Sequence, residues 1–369
     1  MRYTIVEPRS SGHLLVYVRL LCTRAWELGH EVIVATSPEA RASAEWSQHL
    51  ADLPPTAVRL FRFDPRRFMA EAISIARSTG ADTLVVPHGD ELIAQIGARL
   101  IRPRLPCPMH LLIMRDPMWE EAARPATRAR ARLKALLIRR AQRVANVHCV
   151  WLRPANAAAA AGKRIANDPY IGTTDIAQVK RRATGLRERL GMTSDVVWFL
   201  VTGAVTDRKN LPLILRALAV ATRARNDIGF AVIGPLLTSA PVDEQYIRAR
   251  CAASAIACVV SNTLLSNDEV NDAIAAADVV LMAYSTTAPN STLAKAAVLG
   301  TKLVAAGPPT VQEFARSLGA VASVDLSEAV LADAILRGAA APVPAPRPSL
   351  GSSARFADQL LLPPRGDRD

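Results

Sequence analysis

Aromatic residues, cysteines and long apolar runs are all scarce in this 369-residue chain. Aromatic side chains make up 5% of the sequence, which disfavours binding of single-stranded nucleic acid by base stacking. The five cysteines are odd in number and lack metal-type spacing, so neither a disulfide framework nor a cysteine zinc site is expected. No apolar run reaches the roughly 18 residues of a membrane span, and residues 1–7 resemble a strand rather than a signal peptide. We therefore expect a cytoplasmic protein that binds a membrane only peripherally, if at all.

Acidic residues are also in deficit. Lysine and arginine number 45 against 33 aspartates and glutamates, which leaves a net charge of +12 at pH 7. This balance favours an anionic partner: nucleic acid, anionic lipid headgroups or a phosphorylated substrate. Half of the residues are hydrophobic, so the chain has enough apolar material for packed cores, and a disordered protein is excluded.

Short β-branched runs alternate with longer helical patterns along almost the whole sequence. Several runs, such as 83–86, are continuously apolar, which favours parallel strands buried on both faces. The repeated order of strand, helix and strand predicts α/β architecture with doubly wound parallel sheets. The predicted strands are 3–7, 31–36, 57–63, 82–88, 109–115, 144–150, 196–202, 228–234, 257–265, 278–284, 302–307 and 320–326.

These twelve strands fall into two sets of about six, which predicts two Rossmann-like domains facing across a cleft. The first domain is predicted over residues 1–170 and the second over 181–338, with a hinge near 169–180. Residues 339–369 are predicted to form a proline-rich spacer and a short helix that returns to the first domain.

The sharpest motif follows the predicted strand 196–202. Gly203 at the strand end lets a ligand approach the backbone, and Asn210 is a suitable N-cap for the next helix. Arg208 and Lys209 lie beside that helix start, and paired cations at a helix N-terminus favour a diphosphate. A solvated basic turn is the equally weighted alternative.

A second motif follows the predicted strand 278–284. Hydroxyl and amide side chains gather in the loop before a predicted helix over 293–299, which Gly300 caps. Ligands of open α/β sheets bind at the carboxyl ends of strands, where this loop lies, so its side chains can serve phosphate or ribose. Ordinary capping of the helix by Asn290 or Ser291 is the alternative.

Together these motifs resemble the retaining glycosyltransferases of family 4. The resemblance is carried by Gly203, by 208–210, by 277–278 before the polar loop, by 300–301 after the helix, and by 186–191 before the first strand. It is looser in the first half of the chain, where segments 12–13, 29–32 and 82–88 are similar to the family's opening strands and loops.

The resemblance implies a GT-B fold, in which the second domain binds a nucleotide-sugar donor and the first binds a glycan or lipid-linked acceptor. No metal and no cofactor beyond the co-substrate are expected. The implied catalytic residues are His88, Arg208 and Lys209. The implied donor-binding residues are Gly203, Thr287, Asn290, Ser291, Thr292 and Lys295. The implied acceptor-binding residues are Gly12, His13, Asp90 and Arg115.

The sequence departs from the family pattern at three positions. The family has two glutamates eight residues apart before the Gly-Thr turn, and these positions are Thr287 and Lys295 here. Some members carry an arginine directly after the strand-end glycine, and this position is Ala204 here. Two hypotheses follow: an active transferase that binds its donor differently, or a catalytically degenerate GT-B protein that partners an active transferase. A sugar-nucleotide epimerase of the same fold is a third, weaker reading.

Ordinary structural roles are the alternatives for the candidate residues of the first domain. His88 and His13 are also consistent with ordinary loop and helix-start residues, Asp90 with an N-cap, and Arg115 with a salt bridge to Asp116. 

A basic helix is predicted over residues 124–143. The segment carries eight cations and no acid, and its apolar residues 129, 133, 136, 137 and 144 form a helical stripe that predicts core packing. Arg140 falls on that stripe and must snorkel or find a partner. A solvated basic face is one interpretation, and docking on an anionic membrane leaflet is the other.

Overall fold

The computed structural model describes residues 1–10, 14–99, 101, 103–114, 125–153, 164–172, 175–239, 242–286 and 291–362. The described residues pack into two compact units. Unit 1 contains those of 1–153, 164–167 and 353–362, and unit 2 contains those of 168–352.

Unit 1 is built on a sheet of seven parallel strands. The strands are β1 Arg2–Val6, β2 Glu31–Thr36, β3 Val58–Leu60, β4 Thr83–Val86, β5 Met109–Ile113, β6 Val147–Arg153 and β7 Arg164–Asn167. Their order across the sheet is β3-β2-β1-β4-β5-β6-β7. The strand order therefore reverses between β1 and β4, which makes the carboxyl ends of these two strands a topological switch point.

The helices of unit 1 follow from the same alternation of sequence patterns. They are α1 Leu14–Glu27, α2 Pro38–Arg41, α3 Ala44–His49, α4 Phe68–Thr79, α5 Asp90–Ala98 and α6 Pro125–Ala141, with α14 Ser353–Leu361 at the far end of the chain. Gly29, just after α1, has φ +75°, the left-handed conformation in which glycine commonly ends a helix.

Unit 2 is built on a sheet of six parallel strands. The strands of the unit are β8 Val197–Thr202, β9 Val205–Thr206, β10 Ile228–Ile233, β11 Leu236–Leu237, β12 Ala257–Ser261, β13 Val279–Ala283, β14 Lys302–Ala306 and β15 Ala322–Val324. The large sheet has the order β12-β10-β8-β13-β14-β15, and β9 pairs with β11 separately. This order reverses between β8 and β13, as it does in dinucleotide-binding sheets.

Both faces of the large unit 2 sheet are covered by helices. The helices are α7 Ile176–Arg189, α8 Leu211–Ala221, α9 Glu244–Ala252, α10 Asn267–Ala276, α11 Ser291–Leu299, α12 Pro309–Ser317 and α13 Glu328–Ala340. Along β8, Phe199 and Val201 enter one apolar core while Trp198 and Leu200 enter the core on the opposite face. Successive strand residues point to opposite faces, so a continuously apolar strand belongs between two helical layers.

The prediction of two parallel-sheet α/β domains is confirmed. The strand β7 was not predicted, because its four residues, RIAN, follow an alanine-rich segment and carry no apolar run. In unit 2, the strand bounds agree with the predicted ones to within a few residues, since β-branched runs mark those strands clearly.

The packing divides the chain differently from the predicted boundaries. Residues 168–172 and α7, which include most of the predicted hinge, pack within unit 2. Residues 339–352 do so too, and the Lys302 ammonium donates to the carbonyls of Ala339 and Ala341, both at 3.2 Å. The helix α14 packs in unit 1, where the Tyr3 hydroxyl donates to the Leu361 carbonyl at 2.9 Å.

Candidate functional site

The carboxyl ends of β8 and β13 form the most distinctive site of unit 2. The two strands are neighbours in the sheet, with Val279 opposite Phe199 and Val280 opposite Leu200. Beyond them lies a small cleft, which we call the β8–β13 cleft. Its lining includes Thr202, Lys209, Ala283, Tyr284 and Thr292. Because the strand order reverses here, this edge is where an open α/β sheet binds its ligand.

Two glycines shape the backbone where β8 and its neighbour β10 end. Gly203 follows β8 with φ +74°, and Gly234 follows the neighbouring strand β10 with φ +139°. A Cβ atom on Gly234 would lie 2.5 Å from the Gly203 carbonyl oxygen, so no side chain fits there. The glycines therefore let the two strand ends approach closely. The predicted approach of a ligand to the backbone at Gly203 stays a prediction.

Lys209 is a buried cation on one wall of the cleft. It ends a short 3₁₀ helix, Asp207–Lys209, and its side chain is 4% exposed. Its ammonium donates to the Thr202 carbonyl at the end of β8. Burial, reinforced by the charge of Arg208, lowers the pKa of Lys209 to about 7. An anion entering the cleft would supply the missing counter-charge and favour the protonated amine.

Arg208 lies next to Lys209 but remains exposed. Its guanidinium lies over the Tyr284 ring, 5.4 Å from the ring centroid, while its carbonyl accepts a 3.0 Å hydrogen bond from the Ser285 amide. The loops after β8 and β13 are thus in direct contact, so both predicted motifs meet at one edge of the sheet. A guanidinium held over a ring still presents its N–H groups to an anion.

Asn210 departs from its predicted role as a side-chain N-cap. Its backbone is left-handed (φ 49°, ψ 43°), and no side-chain capping bond is present. Its amide nitrogen instead donates to the Arg208 carbonyl at 3.0 Å and to the Ala283 carbonyl at 2.9 Å. Asparagine tolerates this left-handed conformation better than most residues do, and here its side chain ties the two loops together.

The helix α11 begins at the same edge of the sheet. It starts at Ser291, which is buried, and Thr292 in its first turn lines the β8–β13 cleft. The first amides of a helix have no partner within the helix, and they form a natural site for phosphate. The predicted donor residues Thr287 and Asn290 lie outside the described residues. The structure therefore brings Gly203, Lys209 and Thr292 together, and their roles toward a ligand stay predictions.

Lys295, predicted to contact the donor, is directed elsewhere. The side chain is 1% exposed, and its ammonium donates to the Ile171 carbonyl at 3.0 Å and to the Asn271 side-chain oxygen at 2.8 Å. It also lies 5.8 Å from the centre of the Tyr170 ring. Burial lowers its pKa to about 7, although Asp268 and Asp168 act in the opposite direction. In this structure its ammonium holds residues 170–171 against α10 and is not available to a phosphate.

Unit 1 places two predicted site residues near the carboxyl end of β4. His88 follows β4, and its Nδ1 lies 3.3 Å from the Arg9 guanidinium. Asp90 does not cap α5, whose N-cap is Gly89, but accepts from the Met114 amide at 2.9 Å and from Lys134 at 3.1 Å. The remaining acceptor-side predictions, Gly12, His13 and Arg115, lie outside the described residues.

Sequence reasoning missed several polar residues at these two edges. Tyr284 and Thr202 line the cleft in unit 2, and Glu7 and Arg9 lie at the end of β1 in unit 1. Their common signal was available, since each falls within three residues of the carboxyl end of a parallel strand. That signal is weak alone because every strand of a doubly wound sheet has such residues.

The basic helix α6 buries a different face from the predicted one. Ala131, Ile138 and Ala141 are buried, whereas Leu133 and Leu136 of the predicted apolar stripe are 57% and 54% exposed. The contacts between α5 and α6 decide which face of α6 is covered. Arg140 does find a partner, because its guanidinium donates to the Arg99 carbonyl at 3.0 Å.

The described residues contain no candidate for a membrane-spanning helix or a metal site. No helix among them has the length and apolar character to cross a bilayer. No group of three or more histidine, cysteine, aspartate or glutamate side chains among them is arranged to hold a metal ion.

Comparison with known proteins identifies the fold. No protein-family model matches the sequence, and no curated protein matches it. Solved structures do: Anabaena Alr3699/HepE in complex with UDP and glucose has a TM-score of 0.58 at 14% identity, covering 98% of this chain and 95% of that one. Sucrose-phosphate synthase from Thermosynechococcus elongatus has a TM-score of 0.61 at 13% identity, covering 98% and 94%.

A third similar structure is WaaG, a glycosyltransferase involved in lipopolysaccharide biosynthesis. It has a TM-score of 0.61 at 14% identity, and the match covers 98% of this chain and 94% of that one. The two parallel-sheet units therefore have the fold of GT-B glycosyltransferases. At these identities the likeness establishes the fold, and function has to be argued from the site.

Proposed function

We propose that this protein is a glycosyltransferase that moves a sugar from a nucleotide-sugar donor to a glycan or lipid-linked acceptor. The observation that carries the proposal is Lys209, a buried cation beside the start of α11 at the switch point of a GT-B unit. The solved structures support the donor class, since HepE has been crystallised with UDP and with UDP-glucose. The resemblance to family 4 supports retention of the anomeric configuration.

The proposed chemistry uses the positive field of the β8–β13 cleft. As the sugar–phosphate bond breaks, the leaving nucleoside diphosphate gains negative charge. The ammonium of Lys209, the guanidinium of Arg208 and the first amides of α11 stabilise that charge more strongly in the transition state than in the bound donor. We propose that these groups do so without a metal ion. A front-face reaction, in which the donor phosphate takes the acceptor's proton, needs no protein nucleophile.

The proposal is tested by changing both cations and measuring nucleotide affinity. We expect R208A/K209A to weaken UDP binding by roughly 100-fold or more in calorimetry, since each charge-assisted hydrogen bond contributes about 1.5–3 kcal/mol. The matched control is K180A/R181A, an adjacent pair of exposed cations on α7 of the same unit. Equal UDP affinity in the two double variants would contradict the proposal.

The alternative function is a catalytically degenerate binding partner of an active transferase. It is favoured by Lys295, which stands where the family has a donor-binding glutamate and which is engaged with Ile171 and Asn271. The two functions differ in turnover. Sugar release from a panel of nucleotide-sugars, above the rate of R208A/K209A, would establish the enzyme, whereas nucleotide binding with no turnover toward any donor would favour the partner.

We further propose that α6 docks the protein on an anionic membrane surface, where a lipid-linked acceptor would be found. Leu133 and Leu136 are exposed, and Arg132 and Arg139 flank them on the same side of the helix. Apolar residues beside cations suit an acidic leaflet, where each cation contributes about 1 kcal/mol. Vesicles of phosphatidylglycerol and phosphatidylcholine should retain the protein in sedimentation, and L133S/L136S should reduce retention. The same binding by both proteins would contradict docking through α6.

A further inference from the structure

The carboxyl edge of the unit 1 sheet contains two buried polar groups with unsatisfied oxygens. Glu7 follows β1 and is fully buried; its Oε1 accepts from the Arg9 amide at 3.0 Å, and its Oε2 has no hydrogen-bond partner among the described residues. Thr36, the last residue of β2, is also fully buried, and its hydroxyl has no hydrogen-bond partner in the part of the chain that the structure describes. Neither oxygen is used in the proposed donor site, which lies entirely in unit 2.

The strand register places these two residues side by side. Val6 lies opposite Ala35 in the parallel ladder, and the Glu7 amide continues the ladder by donating to the Ala35 carbonyl at 3.0 Å. Residues at paired positions of neighbouring strands point to the same face of a sheet. Glu7 and Thr36 therefore occupy the next paired position on one face, beside the switch point between β1 and β4.

The charged neighbours of Glu7 are already paired with one another. Arg9 contacts Glu91 at 2.5 Å and lies 3.3 Å from Nδ1 of His88, which follows β4. Its guanidinium thus does not form an ion pair with the Glu7 carboxyl. Burial raises the pKa of Glu7 to about 8, while the amide and charge of Arg9 lower it and Glu91 raises it. This raised pKa favours the neutral carboxylic acid at pH 7, which has one O–H to donate.

Buried polar atoms without partners are uncommon, and each costs about 1–3 kcal/mol. Two such oxygens at a strand edge where α/β sheets bind ligands indicate a site whose partner arrives from outside the chain. A neutral carboxylic acid and a threonine hydroxyl each donate and accept, which matches a sugar hydroxyl. An ammonium group would need the ionised carboxylate instead.

We propose that Glu7 and Thr36 form a hydroxyl-binding subsite for the sugar of the acceptor. Glu7 is a binding and positioning residue here; it remains protonated and removes no proton from the acceptor. Because both oxygens are buried, neighbouring side chains must move when the ligand enters, and Arg9 and Glu91 are 31% and 39% exposed. The identification of the bound sugar as the acceptor rests on the proposed transferase function. The prediction that unit 1 binds a sugar does not.

The test uses methyl α-D-glucopyranoside, a pyranose with hydroxyl groups only, and follows its binding by NMR titration. We expect saturable binding that E7Q preserves, because glutamine keeps both a donor and an acceptor and cannot ionise. E7A should weaken binding about tenfold or more, as expected for the loss of a hydrogen bond to a buried group. The matched control, E45Q on α3, should bind like the unchanged protein.

The pH profile separates a neutral acid from other roles. In the unchanged protein, affinity for the glucoside should fall as the pH rises through about 8, where Glu7 ionises. In E7Q the profile should be flat over that range, although His88, Arg9 and Glu91 are all still present. If E7A does not fold, the comparison of E7Q with the unchanged protein still decides the matter.

Three results would overturn the inference. They are no saturable binding of the glucoside to the unchanged protein, the same alkaline decline in E7Q, and tighter binding of glucosamine that E7Q abolishes. UDP affinity measured on the same samples keeps the two proposals apart. Normal UDP binding without glucoside binding would contradict the Glu7–Thr36 subsite alone. Glucoside binding without UDP binding would contradict the donor site alone.

Discussion

Two lysines of unit 2, Lys209 and Lys295, are buried to a similar extent but differ in their hydrogen-bond partners and charged neighbours. Each is almost fully buried, and burial lowers the pKa of each to about 7. Lys295 is surrounded by oxygens, including the carbonyl of Ile171 and the side chain of Asn271, and two aspartates favour its charge. Among the described residues, Lys209 donates a hydrogen bond to the Thr202 carbonyl, and its charged neighbour, Arg208, is of the same sign.

The difference shows what burial alone does not reveal about a cation. A buried lysine with several oxygen partners has its charge balanced by groups of the protein itself, so its role is to stabilise the fold. A buried lysine beside another cation, on the wall of a cleft, is short of negative charge until a ligand brings it. Substitutions of the two lysines and of nearby glycines distinguish a structural lysine from a ligand-binding one.

The largest expected effect is on stability. K295M should destabilise unit 2 by about 2–4 kcal/mol, because the oxygens of Asn267 and Asn271 lose a buried donor. K209M should cost less than about 1 kcal/mol, since one carbonyl at the cleft is left and a desolvated cation is removed. Hydrogen–deuterium exchange at the Tyr170 amide, which donates to Gly351, measures the local free energy of opening.

An exposed lysine of the same unit provides the control for this comparison. K180M on α7 should leave exchange at Tyr170 unchanged. Equal protection of the Tyr170 amide in K295M and K209M would show that the two lysines do not differ in structural role.

The next effect compares Gly203, which lies beside Lys209, with Gly351, which lies against Tyr170 in the segment that Lys295 contacts. Gly351 has φ +68°, and a Cβ atom there would lie 2.5 Å from the Tyr170 nitrogen, so G351A must displace the segment that Lys295 holds. Gly203 has φ +74°, but the nearest atom to its added Cβ is the Lys209 ammonium at 3.7 Å. We expect G203A to cost about 1 kcal/mol from backbone strain alone and G351A to cost more.

Thermal unfolding midpoints of these two variants measure the contrast. G185A, a change at a helix glycine of α7 whose added Cβ is 3.5 Å from the Arg189 side chain, serves as the reference. A larger loss in G203A than in G351A would mean that the turn after β8 is the more constrained of the two.

The smallest effect is a pH dependence of nucleotide binding. The pKa of Lys209 is lowered to about 7 in the free protein, and a bound diphosphate should raise it. Above about pH 7, binding therefore takes up a proton, and UDP affinity should fall by up to about tenfold per pH unit until the pKa of the complex is reached. Calorimetry at pH 8, in buffers that differ in ionisation enthalpy, counts the proton.

We expect substitutions of Lys209 and Lys295 to have different effects on this proton uptake. Proton uptake should vanish in K209M and persist in K295M, because only Lys209 lines the cleft. Uptake that persists in K209M would assign the proton to another group.

The fold was largely predictable because its signals are local and repeated. Apolar strands such as 83–86, buried on both faces, and helix-ending glycines such as Gly29 are fixed by short stretches of sequence. The short strand β7 was missed because its pairing with β6 depends on a neighbour rather than on its own composition.

The candidate site was only partly predictable, because side-chain direction is decided by tertiary packing. The two motifs at 203–210 and 285–292 do meet, as adjacent strands with a shared carboxyl edge require. Lys295 was assigned to the donor because its charge and position suit a phosphate, yet oxygens from 171, 267 and 271 take its donors. Those oxygens lie at sequence separations of 24 or more, beyond the reach of pattern reasoning.

Asn210 has a consequence for how the cleft can respond to a ligand. Its amide holds the carbonyls of Arg208 and Ala283 at once, so the segment after one strand is stapled to the end of the next. A displacement at either side is transmitted to the other through a single side chain. A ligand that contacts one of these two segments therefore also affects the position of the other.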